Sequence, residues 1–122
     1  HMIYLIIPLI GVGAFLIGLG AVFAPEKASK YFGIQARGSE THYVRACGAR
    51  DIFIGAILLF FFWRDDRQAL AFVCFFTAIV SMSDFLLTRI YGSRLASYLH
   101  LLATFFIIGY GIWLLQYQNV AT

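Results

Sequence analysis

Four apolar runs divide this chain, over about residues 3–23, 44–63, 68–88 and 97–117. Crossing the hydrocarbon of a bilayer takes about 20 residues at 1.5 Å rise each, so every run is long enough for one helical span. Spanning β-strands would alternate apolar and polar residues. Ile57 to Trp63 and Phe105 to Ile108 are apolar without interruption, which favours helix. Hydrophobic residues make up 61% of the 122 and charged residues 12%. Water-soluble domains carry about 45–50% and about 25%, so this surface is one that lipid must cover. The expected fold class is all-α: one transmembrane domain over residues 1–122, folded as a four-helix bundle.

The connections set the topology. Residues 24–43 form the long one. Within it, about 25–32 reads as a short interfacial helix. Pro25 suits the first helical position, Glu26 the positive N-terminus and Gly33 the C-terminal stop. Ser39 is a candidate cap for the second span. Arg64-Asp65-Asp66-Arg67 and the segment from Arg89 to Arg94 are tight polar turns. Short turns force antiparallel neighbours, hence an up-down-up-down bundle. Lys27, Lys30, Arg37, Arg89 and Arg94 lie at one end, against Arg64 and Arg67 at the other. The bias predicts the first end in the cytoplasm and both termini outside it. Tyr4, Trp63, Trp113 and Tyr117 then mark the outer interface, and Tyr31, Tyr43, Tyr91 and Tyr98 the inner one.

His1 ahead of Met2 reads as a cloning remnant. No basic stretch leads into the first run, which continues for a full span, so a membrane anchor is expected rather than a cleaved signal. Cys47 and Cys74 fall near opposite faces of the membrane, too far apart for a disulfide. No metal-type spacing occurs. The net charge of +3 is spread over short loops, which excludes a nucleic-acid partner and suits anionic headgroups. In the first span, Gly11 and Gly18 share one face, as do Gly13 and Gly20. Such faces suit packing within the bundle or a homo-oligomer seam.

The chemistry-bearing feature is a set of charges inside the spans. Arg45, Arg50 and Asp51 lie in the second, Asp84 in the third and His100 in the fourth. Ionisable groups in a bilayer are costly and turn towards partners or water-filled cavities. Counted from the cytoplasmic ends, Arg50, Asp51, Asp84 and His100 fall at similar depth, so antiparallel folding brings them into one layer. Thr77, Ser81, Asp84 and Thr88 draw a polar stripe down the third span at helical spacing. His100, Thr104 and Gly111 share a face of the fourth. Gly48, Asp51 and Gly55 share a face of the second, where the missing side chains leave room for a helix contact or a ligand. The candidate catalytic residues are Asp51, Asp84, Arg50 and His100. The candidate ligand-binding residues are Arg45, His42, Ser81, Thr88, Gly48, Gly55 and Thr104. Plainer roles exist for several: an internal ion pair for Arg50 and the aspartates, snorkelling for Arg45, and a solvated loop position for His42.

The segment Gly48-Ala49-Arg50-Asp51-Ile52-x-x-Gly55, with Pro25, Tyr31-Phe32-Gly33-Ile34, Asp84 and His100, resembles a family of small four-helix membrane proteins of unknown function, loosely similar to the DoxX-like proteins. The resemblance covers nearly the whole chain and implies the four-helix fold. It implies no activity and transfers no catalytic residue.

Three function classes remain. The layer is a pocket for a small lipophilic molecule, where two carboxylates, an arginine and a histidine divide acid and base roles. Alternatively it is a proton- or cation-coupled transport site. The third class is a structural or accessory membrane protein. The polar residues gather near one face, and a pocket needs only one entrance, which favours the first class. No cofactor or metal is expected. Haem ligation by His42 and His100 is discounted, since no attachment motif accompanies them. The expected partners are membrane lipid, the lipophilic ligand and a further copy of the chain.

Overall fold

A computed structural model describes residues 2–121, with side chains through Tyr117. It is an all-α bundle with four helices long and apolar enough to cross a membrane. A 3-10 turn over Met2–Leu5 leads into α1 (Ile6–Phe23). Then follow α2 (Pro25–Phe32), a 3-10 turn over Gly38–Glu40, α3 (Thr41–Trp63), α4 (Arg67–Tyr91) and α5 (Arg94–Ala121). At most 28% of any spanning window is buried within the protein, so most of each helix faces outward. An apolar exterior of that extent is compatible with lipid and not with water.

The helices associate as two tight pairs, α1 with α3 and α4 with α5. Glycine makes the first pair. Gly11 lies opposite Gly55, and Gly18 opposite Gly48, in an antiparallel seam. A Cβ on Gly18 would stand 2.5 Å from the Gly48 carbonyl oxygen, and one on Gly48 would stand 2.7 Å from that of Gly18. Gly13 and Gly20 meet nothing within 4 Å. Packing within the bundle therefore uses one of the two glycine faces. In the second pair, the Phe75 ring fills the space left by Gly111.

Each end of the bundle is closed differently. At the acidic-basic turn, Asp66 caps α4 by accepting from the Ala69 N–H at 3.1 Å. There Arg67 stacks between Tyr4 and Tyr117, its guanidinium carbon 5.0 and 4.4 Å from the ring centroids. The Tyr110 hydroxyl donates to the Ile3 carbonyl at 2.6 Å, joining α5 to the start of the chain. Tyr4 lies at this end of the bundle with its ring buried among these aromatic contacts. An apolar core including Ile7, Leu58, Leu70, Ala71, Cys74, Tyr110 and Leu114 fills this half.

At the other, basic end, α2 lies across the bundle. Gly33 ends it with φ +114°, a left-handed value that glycine adopts without steric penalty. The same glycine lets α2 press against Ala96 and Gly92, and the Ser93 N–H donates to its carbonyl at 2.8 Å. Buried Ser29 fixes the following segment, accepting from Ala36 N–H at 2.9 Å and donating to Glu26 O at 2.7 Å. Ser39 does not cap α3. That helix begins at Thr41, whose hydroxyl donates back to Gly38 O at 2.7 Å, and Glu40 accepts weakly from the Arg37 N–H at 3.4 Å.

Candidate functional site

Asp84 lies on α4 about 10 Å before its end at Tyr91, and His100 about 9 Å into α5 from Arg94, by helical rise. Asp51 lies on α3 about 15 Å beyond Thr41. Antiparallel packing then brings three of the four candidate catalytic residues together. The Arg50 guanidinium bonds Asp51 Oδ1 through Nε at 3.3 Å and Nη2 at 3.2 Å. The same Nη2 reaches Asp84 Oδ2 at 3.5 Å. One cation therefore faces two carboxylates. Asp51 Oδ2 and Asp84 Oδ1 have no hydrogen-bond partner among the described residues.

The trio is not sealed. The side chains of Arg50, Asp51 and Asp84 remain 32%, 24% and 12% exposed. It also bridges the two helix pairs, since Arg50 and Asp51 belong to α3 and Asp84 to α4. Cys47, an exposed free thiol, lies one helical turn before Asp51 and within 60° of both Arg50 and Asp51 around the helix.

His100 makes no ion pair or hydrogen bond with Asp84 among the described residues. Its Nε2 instead bonds the Phe32 carbonyl oxygen at 3.0 Å. The Phe32 ring packs beside the imidazole, with centroids 4.9 Å apart. Its observed contacts hold α2 onto α5. No motif in the sequence announced that α2 would supply this partner.

The ligand-binding candidates divide. Thr88 is fully buried, and its hydroxyl donates to the Asp84 carbonyl at 2.7 Å within its own helix. Thr104 likewise donates to the His100 carbonyl at 2.9 Å. Both hydroxyl protons are thus occupied locally. Ser81 is half-buried on the stripe one turn before Asp84. His42 is exposed near the start of α3. Gly48 and Gly55 leave no space for a ligand, because the backbone of α1 occupies it. Arg45 does not line the trio: its Nε donates to Val22 O at 3.1 Å. A basic side chain there satisfies one of the carbonyls left open at the end of α1.

A groove of about 750 Å³ lies elsewhere, between α4 and α5. Its lining is almost wholly apolar, and neither Arg50, Asp51 nor Asp84 takes part in it.

Comparison with curated proteins and with solved structures gives no match. A family described as a domain of unknown function, DUF4267, matches residues 11–114, from the first glycine of the α1–α3 seam to the last fully buried leucine of α5. With the match spanning all four long helices, the chain belongs to the DUF4267 family of unknown function.

Proposed function

We propose that this membrane protein holds a one-sided polar site between its helix pairs, which binds a small lipophilic molecule with a polar head. The observation that carries the proposal is the partial exposure of Arg50, Asp51 and Asp84 two to three turns inside their helices. Charges at such depth are costly against lipid tails and stable beside water or a polar ligand. The open carboxylate oxygens offer acceptors to a hydroxyl or amine. If the ligand is transformed, Asp51 and Asp84 divide the base and acid roles, and Arg50 holds developing negative charge. His100 then positions α2 at the mouth of the site. The lysine and arginine bias of the loops supports a mouth on the cytoplasmic side, with both termini outside.

The apolar core between this layer and the opposite end supports one entrance over a through-path. That weighs against coupled transport. A second reading has its own support: the Arg50–Asp84 contact joins helices of different pairs, as a purely structural clamp would.

Asp51→Asn and Asp84→Asn, purified in mild detergent, separate the two. A site predicts a co-purifying small molecule, seen by mass spectrometry of the extract, that either substitution removes while helicity and monodispersity persist. If both variants unfold and no molecule is ever found with the native protein, the clamp is the better description.

A further inference from the structure

We propose that the groove between α4 and α5 is a binding site for one anionic phospholipid, with an acyl chain along the groove and the headgroup on Arg89 and Arg94. It is separate from the polar trio and does not depend on it. The groove runs from Phe75 to Leu87 on α4, with Thr104 and Ile108 forming the α5 wall. By helical rise that is about 18 Å, close to the roughly 15 Å of hydrocarbon in one leaflet. Its lower end lies at the basic end of the bundle.

Charge placement points to the headgroup. Arg89 follows Met82 by seven residues, and Met82 follows Phe75 by seven, so all three share one face of α4. The arginine therefore continues the line of the groove, just past its last lining residue. It is exposed, and no ion pair to a carboxylate involves it among the described residues. Arg94 begins α5 across the short turn, on a side only about 40° from that of Ile108. Two cations thus flank the point where a chain lying in the groove would meet its phosphate.

A second copy of the protein fits this surface less well. Symmetric groove-to-groove packing of parallel copies would set Arg89 and Arg94 against their own counterparts. Like charges at that distance oppose association.

The test uses the whole protein, released from nanodiscs and examined by native mass spectrometry. Dioleoyl phosphatidylglycerol and dioleoyl phosphatidylcholine, with identical chains, are supplied at equal amounts. The expected result is one phosphatidylglycerol retained in preference to phosphatidylcholine. Arg89→Gln and Arg94→Gln should each lower that preference roughly fivefold. Ser83→Trp, a bulky residue placed on the exposed groove wall, should lower retention of both lipids. Equal retention of the two lipids by the native protein would overturn the proposal. So would phosphatidylglycerol retention that Ser83→Trp leaves undiminished, since the lipid would then be held outside the groove. Efficient disulfide-linked dimers of Ser83→Cys in a Cys47→Ser background under mild oxidation, in place of bound lipid, would overturn the proposal and assign the groove to a second copy.

Discussion

Substituting Gly55 by alanine tests the α1–α3 seam. The added Cβ would stand 2.5 Å from the Gly11 carbonyl oxygen and 2.8 Å from the Phe15 backbone nitrogen. A comfortable carbon–oxygen contact is about 3.3 Å, so the helices must part by about 0.8 Å. A gap of that size forfeits between a quarter and a half of each dispersion contact along the seam. Neither backbone atom can swing aside. Overpacking of this kind costs about 1–3 kcal/mol, offset by up to about 1 kcal/mol from alanine's better helix propensity. Gly55→Ala should therefore destabilise by about 1–2 kcal/mol. Gly13→Ala is the control, because its Cβ meets nothing within 4 Å. It should be neutral or slightly stabilising. Gly11→Ala should fall between them, since the nearest atom, 2.9 Å away, belongs to the movable Leu59 side chain. Reversible unfolding in mixed micelles, followed by circular dichroism against the mole fraction of dodecyl sulfate, gives the three values. Equal stability of the Gly55 and Gly13 variants would refute the seam.

Three further perturbations probe the remaining contacts. Arg50→Met leaves the partly exposed Asp51 and Asp84 without their cation and should destabilise by about 1–3 kcal/mol in the same unfolding assay, with Arg50→Met/Asp84→Met recovering part of the loss. Tyr110→Phe removes the hydroxyl that donates to Ile3 and should cost about 1 kcal/mol, read as a shift in the unfolding midpoint. His100→Phe preserves an aromatic beside Phe32 but loses the bond to its carbonyl. Hydrogen exchange of the backbone over residues 33–36 should then speed up several-fold while the spanning helices stay protected.

Much of the fold is legible in the residues themselves. Apolar length alone marks the four spans, and Pro25 and Gly33 mark the ends of α2 because backbone chemistry acts locally. The meeting of Arg50, Asp51 and Asp84 is legible too, since antiparallel helices align residues of equal depth. What depends on rotation about the helix axes is not. Gly11 with Gly18 and Gly13 with Gly20 have the same spacing, yet only the first pair faces α3. Arg45 reads as a snorkelling or ligand-facing cation, but the end of α1 lies beside it and takes its Nε. Tyr4 reads as an interfacial aromatic, and its packing against Arg67 and Tyr117 is a contact that no spacing rule supplies. His100 carries the mark of a proton-transfer residue, and its ring nitrogen reaches a carbonyl that no spacing rule could supply.

The reach of water to the polar trio can be measured at a native reporter. Cys47 is exposed beside Arg50 and Asp51, whereas Cys74, the other cysteine, is 2% exposed in the core. A charged, membrane-impermeant thiol reagent should label the native protein in sealed vesicles from the side carrying the basic loops, and Cys47→Ser should abolish the signal. A polar crevice predicts rapid modification there. If Cys47 resists the reagent from both sides in intact membranes yet reacts fully after denaturation, no aqueous opening lies beside the trio, and the proposed site is contradicted.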